Sequence, residues 1–441
     1  MIKRFIFLIL LCTLTLATAA CAGTQADTSA EDTEDTAAVS ADSETSAVSS
    51  ETETAPGTDE KVIPEDSEYI IENGITDRMR ALSELVPGNK ARIAKVFKKA
   101  LACEPITVAY LGGSITQGSA AGSVEAAYPG LTTAWFRSTF PESTVTPVYA
   151  GIGATGSYIG VHRLDRDFLS RDPDIVFIDF SVNDNAANTE RDIEAFDGLI
   201  RKLWAAECSP AIVTIAMTKE DGTSFQEYHK SVCVAYDIPM ISYRDAILDA
   251  IKNGHIKWTD VSSDNIHPSG VGHAVLTEMI SAYLEKVLCE LDTIDTGAES
   301  DLSAVCISDK YSTAYLMMPA EAQNAETCGW DKSFFGNFGE AFVRTSSDGT
   351  FSDVETLRFE VEAKSIGILF GKVTRNGGKL DILVDGEKVK TIDCAFTGGW
   401  GNYVEAAEII DFDECGIHTV EIVPKGGKNA YVVFSALTLT K

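Results

Sequence analysis

Between residues 88 and 292 short apolar runs alternate with stretches of helical spacing, and this alternation restricts the possible architectures more than any other feature of the chain. The runs are ITVAYL (106–111), VTPVYA (145–150), DIVFIDF (174–180), AIVTIAM (211–217) and the shorter PMIS (239–242). Before them, NKARIAKVFKKALAC places apolar residues at Ile93, Val96, Phe97 and Leu101, the spacing of one helix face. Further helical stretches are predicted at roughly 127–139, 190–206, 224–236, 244–253 and 270–290. Strands apolar on both faces must be covered on both sides, so the pattern predicts an α/β fold with a three-layer, doubly wound parallel sheet. Ligands of such sheets sit beyond the carboxyl ends of the strands, which directs attention to the loops that follow them.

After about residue 300 the helical periodicity fades. TLRFEVEA, SIGILFG, KLDILVDGEKVKTIDC, HTVEIVP and AYVVFSALTLT read as strands, and Asp385-Gly386 is a hairpin-turn signal. Residues 300–441 are therefore expected to form a C-terminal all-β sandwich. Its size and strand spacing are jelly-roll-like, and composition does not separate a jelly roll from other sandwiches.

At the other end, Lys3 and Arg4 precede the apolar run FIFLILLCTLTLATAA, too short and wrongly flanked for a stable membrane span, and small residues lead to Cys21. Residues 1–21 resemble a bacterial lipoprotein signal, in which Cys21 is lipidated and anchors the mature chain outside the cytoplasmic membrane. Thr18 stands where a leucine is more usual; the competing expectation is ordinary secretion with cleavage at Ala17-x-Ala19. Either way the mature protein is expected to be extracytoplasmic. Residues 22–60 carry 11 acidic and no basic residues and no aromatics, too little apolar surface to offset ordering entropy. A disordered linker over 22–68 is expected, with a root-mean-square reach on the order of 35 Å.

The 36 basic residues against 66 acidic give a net charge of -30, which repels nucleic acid and anionic headgroups. No nucleic-acid partner is expected, and membrane contact is expected only through the lipid anchor. Eight cysteines beyond Cys21 are scattered, without a C-x-x-C pair or a Cys/His cluster, so no metal site is visible and free thiols are expected for most.

The chemistry-bearing residues lie where the sheet predicts them. YLGGSITQG places Ser114 on a tight turn after the first long run; it is not the G-x-S-x-G elbow, because Thr116 replaces the second glycine. Asn183, in FSVNDNA, follows the run DIVFIDF, and Asp264 and His267, in SSDNIHPSG, precede the last helical stretch. A serine that attacks an acyl carbon needs a base within about 3 Å, and the base needs a carboxylate to hold its tautomer. Aspartate and histidine on one short loop can supply both.

These blocks resemble those of the SGNH, or GDSL, hydrolase superfamily, which contains esterases, lipases and carbohydrate deacetylases. The matching segments span residues 106–268, and with the framing helices the resemblance implies a flavodoxin-like hydrolase domain over 69–295. It implies Ser114 as nucleophile, Asp264 and His267 as the acid-base pair, and an oxyanion hole built from the Ser114 amide, the Asn183 amide and a backbone N–H of Gly153 or Ala154. It implies no cofactor. Departures from the pattern are Gly113 for the aspartate of the GDS block, as in a bacterial subgroup with GGSIT, Ser181 for the glycine of GxND, and Tyr149 for a frequent asparagine. A surface-tethered hydrolase joined to a sandwich resembles polysaccharide deacetylases, so the expected partner is an acylated carbohydrate or small ester. The alternatives are a small-ester or lipid acylhydrolase, and a carbohydrate-binding surface protein whose hydrolase domain is silent.

Two further patterns are weighed against this. VYAGIGATGSYIG (148–160) spells G-x-G-x-x-G, with Asp179 about where a ribose-binding acid would be sought, but the pattern follows the second strand instead of the first. Its small residues are read as letting backbone amides approach an oxyanion. Trp330, Phe335, Phe338, Trp400 and Tyr403 are candidate sugar platforms or sandwich core. His273 reads as a structural helix residue, His162, His229, His255 and His418 lack motif partners, and Asp184 is expected only to order its loop.

Overall fold

The protein is described by a computed structural model over residues 61–346, 351–398 and 401–441. The signal with Cys21, the linker up to residue 60, and Trp400 lie outside the described residues.

A six-stranded sheet organises the N-terminal half: β1 (Glu84–Val86), β2 (Ile106–Gly112), β3 (Val145–Gly151), β4 (Ile175–Asp179), β5 (Ala211–Ala216) and β6 (Met240–Ser242), in the order β1-β6-β5-β4-β2-β3. β2 to β6 are parallel, and β1 joins β6 antiparallel at the edge. Every residue of β4, β5 and β6 is buried, as strands covered on both faces require. The parallel strands alone have the flavodoxin-like order 2-1-3-4-5. Strand order reverses at β2, between β3 and β4, so the loops after β2 and β4 diverge and leave a crevice.

Helices Ala91–Leu101, Tyr128–Thr139 and Gly270–Cys289 cover one face, through a core that includes Phe97, Phe136 and Leu276. On the other face helices Ser157–His162 and Thr189–Trp204 bury Phe196 and Leu199. The chain engages this domain earlier than residue 69: the Pro64 carbonyl accepts from Arg78 at 2.9 Å and Asp66 meets His255 at 3.0 Å. Residues 61–68 therefore run along the α/β domain instead of belonging to a solvated linker. These polar contacts have no periodic signature.

The C-terminal domain is one antiparallel sheet of eight strands: β7 (Tyr315–Met317), β8 (Asp331–Phe335), β9 (Gly339–Thr345), β10 (Leu357–Lys372), β11 (Lys379–Val384), β12 (Glu387–Asp393), β13 (Tyr403–Lys425) and β14 (Tyr431–Thr440). The β11–β12 turn has Asp385 and Gly386 at φ 53° and 82°, both left-handed, as the hairpin signal required. TLRFEVEA and SIGILFG are two parts of the single strand β10, which shifts register after Ala363. Phe370 pairs with Phe434, yet the ring of Phe359, 11 residues earlier, also lies 5.4 Å from that of Phe434. A straight strand would put those positions about 35 Å apart. The sheet therefore folds over on itself about β10 and β13, which gives a sandwich.

The two domains share a core. Buried side chains run without interruption from Phe196 and Leu199 through Tyr158 and Tyr311 to Ile368 and Leu437. The Tyr158 hydroxyl lies 2.8 Å from that of Thr438, and a Cβ on Gly367 would stand 2.4 Å from the Tyr158 oxygen. Glycine is needed there so that the β10 backbone can approach the α/β domain. The connecting segment is tied down by Asp197, which accepts the amides of Ile307 and Ser308 at 2.7 and 2.8 Å.

Asp179 ends β4 almost fully buried, and neither carboxyl oxygen has a well-aligned hydrogen-bond partner among the described residues. Burial, and then the nearby Asp184, push its carboxyl up to about 7; the Ser181 amide and the Thr116 hydroxyl draw it only part of the way back. A carboxyl raised by folding favours the folded state most below its unfolded value, and that contribution is lost as pH rises through about 7. Asp179→Asn should therefore stabilise the protein relative to the parent at pH 8 and by much less at pH 5, measured by urea unfolding. An equal difference at both pH values would show that this carboxyl does not titrate in that range.

Candidate active site

β2 ends in Gly112, and Gly113 leads directly into a short helix, Ser114–Gln117. A Cβ on Gly112 would stand 2.0 Å from Thr116 Oγ1, and one on Gly113 would stand 2.1 Å from Asn183 Oδ1. Both glycines thus allow a turn tight enough to lift Ser114 to the rim of the crevice, where it is half-buried. Gly113, in the place of the expected aspartate, is also what leaves room for the Asn183 amide beside the Ser114 turn.

The Ser114 hydroxyl lies 2.8 Å from His267 Nε2, and His267 Nδ1 lies 2.8 Å from Asp264 Oδ2. The carboxylate can only accept, so Nδ1 carries the proton and the free Nε2 lone pair faces the serine. Asp264 Oδ1 accepts the amides of Ile266 and His267 at 2.7 and 2.6 Å. The loop itself is pinned by Ser262, whose hydroxyl lies 2.6 Å from the His267 carbonyl and 2.8 Å from that of Asp264 and shares its one proton between them, and by the Trp258 indole N–H donating to the Asp264 carbonyl at 2.6 Å. Partial burial raises the Asp264 carboxyl, but the His267 amide, the His267 ring and the Ile266 amide outweigh it and hold the group below the usual range. A hydroxyl, a correctly tautomeric imidazole and an ionised carboxylate in line can generate an alkoxide equivalent and stabilise the imidazolium that forms.

Asn183 follows β4, across the crevice. The third expected donor was Gly153 or Ala154, and the structure separates them. The Gly153 N–H donates to Gln117 Oε1 at 2.7 Å. The Ala154 N–H makes no hydrogen bond among the described residues, and neither do the Ser114 N–H and the side-chain Nδ2 of Asn183, whose backbone N–H donates to the Phe180 carbonyl at 2.9 Å. Ala154 has φ 61°, a left-handed conformation unusual for alanine.

The glycines of GIGATG have more specific neighbours than an oxyanion alone. A Cβ on Gly151 would stand 2.3 Å from the Gln117 backbone nitrogen, and one on Gly156 would stand 2.3 Å from Asp184 Oδ1. Asp179 is enclosed below the turn, with no access to a ribose. His273 is buried, and its Nδ1 accepts the Tyr128 amide at 3.2 Å; burial pushes it down to about 4. His162 is likewise buried and pushed down by burial to about 3. His418 pairs with Asp385 at 2.8 Å and stacks on Phe412, far along the sandwich. His229 does have a partner, the Asp184 carboxylate at 2.9 Å, which no motif announced.

Beside Ala154 and Asn183 a cavity of about 290 Å³ opens between the domains, lined also by Arg191 of the α/β domain and by Tyr403, Glu405 and Ala406 of β13. It adjoins a larger depression of about 730 Å³ through Asn188 and Arg191. Of the candidate aromatics among the described residues, only Tyr403 lines this space, its hydroxyl 2.6 Å from Glu405. Trp330, Phe335 and Phe338 are buried, and the Trp330 indole N–H is used by the Glu355 carbonyl.

Residues 110–275 match the GDSL-like Lipase/Acylhydrolase family. Comparison with curated proteins finds no match. Among solved structures, a two-domain esterase active on acetylated mannans, determined alone and with mannopentaose, is 27% identical at a TM-score of 0.73, over 82% of this chain and 98% of that one. Axe2, an acetylxylan esterase from Geobacillus stearothermophilus, is 16% identical at a TM-score of 0.36, over 41% of this chain and 94% of that one. The family match covers the strand ends that bear Ser114 and Asn183 and the loop that bears Asp264 and His267, and the likeness to the two-domain esterase extends over the sandwich as well. Residues 110–275 form a domain of the SGNH/GDSL hydrolase superfamily, and the protein is a carboxylic ester hydrolase.

Proposed function

We propose that the protein removes O-acetyl groups from a polysaccharide, with an acetylated mannan as its first candidate substrate, and that it does so through a Ser114 acyl-enzyme. One observation carries this reading: the Ser114–His267 contact of 2.8 Å stands beside a cavity to which the second domain contributes Tyr403 and Glu405. The likeness to an esterase active on acetylated mannans, which spans both domains, supports the same substrate class. A small-ester hydrolase would not need a second domain at the rim of its site.

In this mechanism His267 Nε2 takes the Ser114 proton as Oγ attacks the acetyl carbonyl. The oxyanion is held by the N–H groups of Ser114 and Ala154 and by the Asn183 amide. Collapse breaks the bond to the sugar oxygen, which leaves with the proton from His267. Water then attacks the acetyl-serine by the same route, releasing acetate and restoring the hydroxyl. Asp264 keeps the imidazole in its productive tautomer throughout.

Each oxyanion donor contributes about 2.7–4 kcal/mol in the transition state. Asn183→Ala should lower turnover of an aryl acetate by about 10²–10³, and Ser114→Ala should reduce it to background, both followed by acetate release. Parental turnover by the serine variant would refute the mechanism. Release from acetylated pectin or peptidoglycan, with none from acetylated mannan, would refute the substrate.

The same proposal places the enzyme outside the cytoplasm, lipidated at Cys21. Cells expressing the full chain should incorporate labelled palmitate into it, and Cys21→Ser should abolish the label. Unlabelled protein recovered in the medium would instead establish ordinary secretion.

A further inference from the structure

The three proposed oxyanion donors come from three separate loops: Ser114 after β2, Ala154 after β3 and Asn183 after β4. Their worth depends on mutual placement to within a fraction of an ångström. Two side-chain ties link these loops. Gln117 Oε1, one turn beyond Ser114, accepts the Gly153 N–H at 2.7 Å and so joins the first loop to the second. Asp184, the neighbour of Asn183, joins the third to the second: Oδ1 accepts the Ser157 N–H at 2.8 Å, and Oδ2 accepts the Ser157 hydroxyl at 2.5 Å.

Asp184 is in turn held from behind. The Nε2–H of His229, in helix Gln226–Ala235, donates to Asp184 Oδ2 at 2.9 Å, and both side chains are almost fully buried. The imidazole cannot swing away, because it stacks on Phe196 at 3.8 Å and meets the edge of Phe225 at 5.3 Å. Gly156 completes the fit, since any Cβ there would collide with Asp184 Oδ1.

We propose that the buried chain Ser157–Asp184–His229 is the positioning device of the oxyanion hole, and that His229, far from the reacting atoms in sequence, sets the placement of Asn183 relative to Ala154. This rests on the acyl-enzyme reading above, in which Asn183 and Ala154 bind the oxyanion. The three side chains touch no substrate; they act through the two loops.

The test is a double-mutant cycle in the full chain, with kcat and KM measured on an aryl acetate. His229→Leu removes the donor at similar bulk and should lower kcat about 10- to 100-fold, with KM changed less than about twofold. His229→Gln, whose amide can place an N–H near the position of Nε2, should recover most of the loss. In an Asn183→Ala background, where the donor being positioned is gone, His229→Leu should cost no more than about threefold. Ser157→Ala, which keeps the backbone tie to Oδ1, serves as the milder variant if the leucine protein does not fold, and should show the same non-additivity. A folded His229→Leu protein with parental kcat, or losses that multiply fully with Asn183→Ala, would overturn the proposal. Parental activity of Ser114→Ala would overturn the acyl-enzyme reading instead, so the two failures are distinguishable.

Discussion

The contact between Ser114 Oγ and His267 Nε2 joins residues 153 positions apart, and no local interaction can create it. It forms because parallel strands place all their following loops at one edge of the sheet. Ser114 leaves β2 at the point where strand order reverses, and Asn183 leaves the neighbouring β4, so both face the crevice that the reversal opens. His267 arrives from the loop before helix Gly270–Cys289, whose packing on the Phe97 and Phe136 face fixes the far end of that loop. If the sheet register slipped by one residue at β2, Ser114 would turn into the core and the imidazole would face empty space.

Much of this arrangement was legible in the sequence because it is written in long periodic elements and in polar residues at their ends. The five parallel strands lie within a residue or so of the apolar runs, and Ser114, Asn183, Asp264 and His267 stood out because each follows a run or precedes a helix. β1 was not legible: three residues, Glu84–Val86, are too few to show alternation. β7 to β9 were missed because their burial is partial and irregular, with Phe334 facing solvent. The first part of β13, from Tyr403, escaped for the same reason, although it supplies the sandwich's contribution to the site. Gln117 and His229 were invisible in principle, since what makes them matter is a partner 36 or 45 positions away.

Fusion of the domains brings side chains of the sandwich to the edge of the site. The α/β sheet buries one face against its own helices and the other against a core that continues into the sandwich, so the two cannot move as loosely tethered modules. Consequently Tyr403 and Glu405 are fixed parts of the cavity wall beside Asn183. Aromatic residues read from sequence as possible sugar platforms mostly serve this fusion and the sandwich core instead, as the burial of Phe335 and Phe338 shows. On the proposed reading, a polysaccharide chain would therefore meet a rigid interdomain seam beside the catalytic serine.

Ala154 shows how the site's energetics are balanced. Its φ of 61° strains an alanine by about 1–2 kcal/mol, which glycine would avoid. The N–H that this conformation leaves unbonded is worth about 2.7–4 kcal/mol to an oxyanion if correctly aimed. In the proposed mechanism that gain exceeds the strain, but only while the surrounding loops hold the residue against relaxation. Those restraints are on either side of it: Gln117 holds the amide of Gly153, and Asp184 holds the amide and hydroxyl of Ser157. A strained residue between two anchored neighbours cannot relax by sliding along the chain, so the same ties that aim the donor also keep it in its unfavourable conformation.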